Sequence, residues 1–333
     1  MKKDLTISMG RVLATLFIVI CHIISYYTMI PGSAFLGQFF NVGVQMFIMI
    51  SGILYGRKRY NMKAHDSRAF LRSRYAKVLL PTHIWAIIIL LVTGFQNIIN
   101  TVVVLLNIQG INWIIRSCNM PDGGKYLSHT WFITVILICY LIEPLLYRSM
   151  DAIKSWHIAA LYLFGIAASV LVNVNILLIL YFIAAYYVAA NYQKLFNKRL
   201  LIYNLLLVVA LTVRLGGKIL LDGTIIYDRA IVELSQQMLA LVIMAYISKL
   251  NDKKLFNSIT ETRAFRFLEK HSFSIYLVHF SFLEPLFEKI GLLYSTIAFV
   301  IIVPVAAVGL DLISSVVRNK TGLSGKVSNN KGR

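Results

Sequence analysis

An all-α fold, a polytopic membrane bundle of about ten transmembrane helices with cytoplasmic N- and C-termini, is what this sequence predicts. Three observations predict it. Of 333 residues, 58% are hydrophobic and only 14% charged, whereas a soluble domain carries about 25% charged residues. A larger core does not account for the deficit, because a soluble surface must still be covered with polar groups. The apolar residues are also gathered into long blocks, with a mean hydropathy of +0.73, and roughly 20 apolar residues in a helix cross a hydrocarbon core about 30 Å thick. The third observation is where the basic residues fall.

The blocks place spans at 10–30, 40–56, 78–95, 131–148, 157–172, 175–190, 201–216, 231–249, 272–291 and 293–317. With these spans alternating in direction, 27 of the 33 Lys and Arg fall on the side of the N-terminus. Arg116, Lys125, Arg214, Lys218, Arg229 and Lys289 remain on the other side. Such a split is the positive-inside pattern. Residues 96–112 are apolar too, but Asn97, Asn100 and Asn107 interrupt them. A full span there would invert all that follows and spoil the split, so the segment reads as re-entrant or interfacial. One membrane domain therefore covers residues 1–318, and 319–333 form a polar cytoplasmic tail of disordered composition. No repeat or soluble linker divides the chain.

The formal net charge of +19 would suggest nucleic acid in a soluble protein. Here the charge sits in the connections between apolar blocks, so the partner it implies is the lipid bilayer and not nucleic acid. Cys21, Cys118 and Cys139 show neither metal-ligand spacing nor a disulfide framework. The first block is not a cleavable signal: it lacks a small-residue cleavage site before Pro31 and carries His22 in its middle.

Ionisable and polar groups inside spans are candidates for function. Arg11 and His22 lie eleven positions apart on the first helix, which returns them to within about 20° of one face and separates them by about 16 Å along the axis. Either the arginine docks a charged group and the imidazole takes a proton in a water-poor site, or the pair is an anchor and an inter-helix hydrogen bond. Arg74 and Lys77, three apart before Pro81, would share a helical face and suit a phosphate; the rule for inner loops also explains them. His129 and Trp131 open the fourth span, with Tyr140 further along it; an aromatic belt explains Trp131, while His129 is placed to line an acceptor pocket. Glu143-Pro144 suggests either a kinked helix with a buried carboxylate or plain interfacial exposure. Tyr276 and His279, three apart in FSIYLVHF, are read as inter-helix hydrogen bonders ahead of catalysis. No phosphate-cradling glycine loop, metal cluster or nucleophile elbow stands out. A histidine without a Ser or Cys nucleophile favours direct attack by a substrate hydroxyl.

In order along the chain, MGRVLATLFIVICHI, FFNVGVQMFIMISGILYG, FLRSRYAKVLLP, HTWFI with YLIEP, and FSIYLVHF resemble the membrane acyltransferase-3 family, which includes bacterial polysaccharide O-acetyltransferases. The resemblance runs over residues 5–317. It implies transfer of an acyl group, commonly acetyl from cytoplasmic acetyl-CoA, to a hydroxyl of a cell-surface or lipid-linked glycan, in a bacterial plasma membrane. By position it implies His22 as the catalytic histidine and Arg11 as its motif partner. Arg74 and Lys77 stand where the family usually has two arginines, so a bidentate phosphate contact becomes a point-charge one. Ser51-Gly52 and His129-x-Trp131 also match recurrent positions. The acyl-CoA would thus be held by Arg11, Arg74 and Lys77, the acceptor by His129 and Trp131, and no metal is expected. The competing reading is a transporter or flippase for a glycan or its lipid-linked precursor. Internal polar residues fit it; the lack of an internal repeat does not.

Overall fold

The computed structural model describes residues 4–26, 32–61, 66–115, 121–251, 253–287 and 292–323. Arg116, Cys118 and Lys289, and the expected tail from 324 onward, lie outside the described residues; the last helix itself runs to Lys320. The first half of the chain forms α1 (Leu5–Tyr26), α2 (Ser33–Phe40), α3 (Val42–Asn61), α4 (Ser67–Arg74), α5 (Leu80–Val92), α6 (Ile98–Leu105), α7 (Ile111–Ile114), α8 (Gly124–Leu127), α9 (Trp131–Ser149) and α10 (Ser155–Leu171). The second half forms α11 (Leu177–Val188), α12 (Tyr192–Phe196), α13 (Leu200–Leu221), α14 (Val232–Leu250), α15 (Lys254–Glu261), α16 (Arg263–Val278), α17 (Leu283–Phe287) and α18 (Leu292–Lys320). Among the described residues the only β pairing is the isolated bridge between Ile115 and Val174. The fold is an all-α polytopic bundle.

Seven helical stretches are long and apolar enough to cross a membrane: Leu5–Tyr26, Phe35–Arg59, Ser67–Val92, Gly124–Ala152, Leu200–Leu221, Ile226–Leu250 and Tyr294–Lys320. Two other expected spans fall on α10 and α11, with 17 and 12 residues, and the third, 272–291, falls on the end of α16, the turn His279–Phe282 and α17. Residues 96–112 hold no helix long enough to cross a membrane. The eight residues of α6 are about 12 Å long. The chain then turns at Asn107, whose φ is 56°. That turn is pinned to the start of α9: Thr134 donates to the Asn107 carbonyl at 2.9 Å, and the Gly110 N–H donates to Thr134 Oγ1 at 3.0 Å.

Because lipid tails are as apolar as leucine, helices in a membrane associate through close packing of small residues. Gly52 and Gly56 of α3 form such a surface. A Cβ at Gly52 would lie 2.6 Å from the Phe182 carbonyl oxygen of α11, and one at Gly56 would lie 2.5 Å from that of Tyr186. Gly52 is therefore a packing requirement. Gly52→Ala is expected to lower stability by about 1–3 kcal/mol, read as an earlier thermal unfolding transition of the detergent-solubilised protein. At the rim, α13 and α18 leave Leu201, Leu220, Val305 and Leu312 exposed, as lipid-facing helices do. α16 is tied to α18 by Asp311, which accepts hydrogen bonds from Ser274 and from the His271 ring.

One end of the bundle gathers the start of α1 and the ends of α3 and α9. Asp4 pairs with Arg57 at 2.8 Å, and Arg59 pairs with Asp151. This end, called the basic face below, also carries α4 and the end of α18.

Candidate active site

The basic face holds a cavity of about 1230 Å³ whose walls come from α3, α4, the turn before α5, and the end of α18. Lys58, Arg68, Arg72, Arg74, Lys77 and Arg318 line it, and Asp66 is the one acidic residue in the wall. Asp66 is occupied as the N-cap of α4, accepting from the Arg68 and Ala69 N–H groups at 3.0 and 3.1 Å. Arg72 donates to the Gly322 carbonyl at 2.7 Å, drawing the end of α18 across to α4. The result is a roomy, strongly positive recess suited to a multiply charged anion.

Arg74 and Lys77 both reach this cavity, but not as two teeth on one α-helical face. Pro81 has no N–H for the carbonyl four residues earlier and would clash with it. The chain answers with a π turn over Tyr75–Leu79, closed by the Leu80 N–H on the Tyr75 carbonyl. Widening the helix turns Lys77 away from Arg74. Lys77 is exposed in the cavity, whereas Arg74 is half-buried. Its guanidinium donates to the Tyr55 hydroxyl and, at 3.0 Å, to Ser73 Oγ. It also lies 5.2–5.9 Å from the ring centres of Tyr55, Phe70 and Tyr140. Arg74 thus forms the cavity floor, and the exposed cations are its rim. Arg11 is not among the residues lining the cavity. It is half-buried nearly two turns into α1, which runs unbroken to His22.

From the Arg74 floor, aromatic side chains lead between α3, α9 and α16 towards the far face. Tyr55 and Tyr140 are in edge contact at 5.4 Å; eight residues back on each helix, Phe47 and Phe132 meet at 6.2 Å. Phe132 touches Tyr276 at 5.9 Å, and Tyr276 touches His129 at 5.4 Å. Glu143, buried beside this line, accepts from Tyr186 at 3.3 Å, which settles it as an interior carboxylate.

The line ends in three histidines brought together from α1, the turn before α9 and the end of α16. His22 lies 5.3 Å from His279 and 6.4 Å from His129, ring centre to ring centre; His129 and His279 are 5.2 Å apart. Phe280 closes one side, 4.9 Å from His22 and stacked on His129 at 4.8 Å. Tyr276 does what inter-helix bonding requires, donating from its hydroxyl to the His129 carbonyl at 2.8 Å.

Backbone carbonyls fix the tautomers of two rings, since only an N–H can bond to a carbonyl oxygen. His279 Nδ1 faces the Tyr276 carbonyl at 2.7 Å, so Nδ1 carries the proton and Nε2 is a bare lone pair. His129 Nε2 faces the Leu277 carbonyl at 3.1 Å, so its Nδ1 is bare. Both rings are buried, and neither bare nitrogen has a partner. Among the described residues no hydrogen bond holds the half-buried His22 ring. Two rings with fixed, unpaired acceptor nitrogens therefore flank a third histidine whose ring is not hydrogen-bonded.

Of the residues marked in the sequence, His22 and His129 meet in this cluster, and Arg74 and Lys77 meet in the cavity. Trp131, two residues on from His129, stacks on Trp113 at 4.7 Å. Lys58, Arg68, Arg72, Arg318 and Phe280 were not singled out; inner-loop charge hid the cations, and Phe280 reads as one more apolar residue. Among the described residues no group of His, Cys, Asp or Glu could hold a metal ion.

No curated protein and no solved structure matches the chain. A family model described as an acyltransferase domain matches residues 5–315, nearly the whole length. That match spans the aromatic line, the histidine cluster and the cavity wall as far as Ser315, and by it this multi-pass membrane protein belongs to the acyltransferase-3 family and is an acyltransferase.

Proposed function

We propose that the protein moves an acyl group, acetyl in the simplest case, from cytoplasmic acyl-CoA to a hydroxyl of a cell-surface or lipid-linked glycan, in a bacterial plasma membrane. The observation that carries the reading is the pairing of one basic cavity with one histidine cluster along a single aromatic line. Tyr140 at the cavity floor and His129 are eleven residues apart, about 16 Å at helical rise. This is the spacing of Arg11 and His22, and of the same order as the reach of a pantetheine arm. The CoA phosphates would sit among Lys58, Arg72, Lys77 and Arg318, with Arg74 at the floor and Arg11 flanking the arm's route.

Chemistry then needs one base. His22 takes the proton of the acceptor hydroxyl as its oxygen attacks the thioester carbonyl. A C–O bond forms, the C–S bond breaks, and the imidazolium returns the proton to the departing CoA thiolate. The apolar walls limit competing hydrolysis. His279 acts as the positioning residue: its bare Nε2 accepts the second His22 N–H and steadies the imidazolium. His129 offers its bare Nδ1 to a neighbouring hydroxyl of the acceptor, with Trp131 at the outer wall. His279→Leu is expected to lower kcat by about ten- to a hundredfold, the worth of a hydrogen bond to a charged group. His279→Gln, which restores an acceptor oxygen, is expected to recover most of it with the pH profile displaced. The reading as a whole is tested in nanodiscs with labelled acetyl-CoA and a panel of bacterial glycans, following thioester loss and ester-linked label. No binding and no turnover by folded protein across the panel would overturn it.

A further inference from the structure

Away from both the cavity and the histidines, a second polar cluster lies where α2, α3, α13 and α14 meet. Arg214 of α13 is 1% exposed, among the largest fully buried side chains of the structure. A buried guanidinium is expensive unless paired. Yet among the described residues no carboxylate lies within ion-pair distance of it. Its one hydrogen bond, at 2.7 Å, goes to the neutral Gln38 Oε1. Phe35, Phe39 and Tyr227 surround it at 5.6–5.9 Å from guanidinium carbon to ring centre. The nearest buried carboxylate, Glu233, is engaged elsewhere, accepting from Gln45 at 3.3 Å. Gln45 also donates to Gln236 at 2.7 Å, and Gln236 donates to the Gln38 carbonyl at 2.8 Å.

Two donors are left over in this otherwise well-bonded cluster: Arg214 Nη1 and the Tyr227 hydroxyl, both buried without a partner. Gln45 Oε1 is the one unpaired acceptor among them. Tyr227 stands in a π turn, Ile226–Ile231, a distortion that recurs at functional sites. Lys218, one turn along α13, lies 5.8 and 5.9 Å from the Phe35 and Tyr227 rings and bonds Asp222 at 2.6 Å. The outer side of α13 is lined by exposed Val213, Leu215, Ile219 and Leu220.

We propose that Arg214 Nη1 and the Tyr227 hydroxyl, with Lys218 at the approach, bind a phosphate oxyanion, supplied by a membrane lipid at the far face. Two buried, unpaired donors on residues in contact, beside a further cation, are a site for one or two anionic oxygens. The apolar flank of α13 provides acyl chains with a bed. This proposal does not depend on the acyl-transfer reading.

The test titrates phosphatidylglycerol, a galactolipid without phosphate, and inorganic phosphate separately into the full-length protein in maltoside detergent, reading thermal unfolding. Phosphatidylglycerol is expected to raise Tm beyond the galactolipid. Arg214→Gln should weaken that effect about tenfold or more in lipid concentration, as loss of a charged hydrogen bond does. Tyr227→Phe keeps the ring and removes only the donor, so it carries the test if Arg214→Gln does not fold. A Tm rise with inorganic phosphate alone, lost in the same variants, would keep the oxyanion site and make its source soluble. Equal effects of the two lipids, or a phosphatidylglycerol effect unchanged in both variants, would overturn the proposal and leave the two donors to buried water.

Discussion

His22→Ala is expected to lower acyl transfer by about 10²- to 10⁴-fold, the contribution of a positioned general base, while the protein still folds and still binds its donor. The ring is half-buried and touches Phe280 and His279, so its loss leaves a small void in a cluster already held by Tyr276, Leu277 and His129. The cavity that would hold the CoA phosphates is built from other helices, about 16 Å away by helical rise. The variant should therefore separate kcat from the affinity for acetyl-CoA, measured by equilibrium binding of the labelled donor. Loss of both together would point to a structural role for His22.

The second large effect is expected at the cavity. Reversing two cavity charges, the exposed Lys77 and the half-buried Arg318, in Lys77→Glu/Arg318→Glu should raise the KM for acetyl-CoA about tenfold or more, since each cation lost to a phosphate forfeits a charge-assisted contact. Arg74 is left intact because it organises Tyr55, Phe70 and Tyr140. The informative control is acetyl-pantetheine, which has the thioester and the arm but lacks the nucleotide. Its turnover should be unchanged by the double substitution. High salt should weaken the wild-type enzyme's grip on acetyl-CoA in the same sense. If both donors suffered alike, the cavity would not be a phosphate site.

Much of this was legible in the sequence, for physical reasons. Hydrocarbon thickness and the charge bias of the connections are one-dimensional constraints, so helices and their order could be read from blocks of residues. The unbroken α1 made the Arg11 to His22 spacing readable as well. What the sequence could not supply is distance between helices. His279 was visible three residues after Tyr276, but that its Nε2 would be left bare beside His22 depends on Tyr276 and Leu277 offering their carbonyls to two different rings. Arg74 and Lys77 were placed together by α-helical spacing, and Pro81 altered that spacing through a π turn. Asn97, Asn100 and Asn107 did flag 96–112 as unlike a span; the turn at Asn107 and its hydrogen bonds to α9 show how the chain folds back there. Arg318 enters the cavity only because α18 ends against α4.

The central claim is that a donor at the basic face and an acceptor at the far face react through one bundle. Sealed proteoliposomes test it most directly, with protein orientation fixed by protease accessibility. Labelled acetyl-CoA is supplied only on the side of the basic face and glycan only in the other compartment. Ester-linked label is expected to accumulate on the glycan, dependent on His22, with no acetyl-CoA crossing. Label that appears only when donor and glycan share a compartment, or glycan that crosses without being acylated, would contradict it.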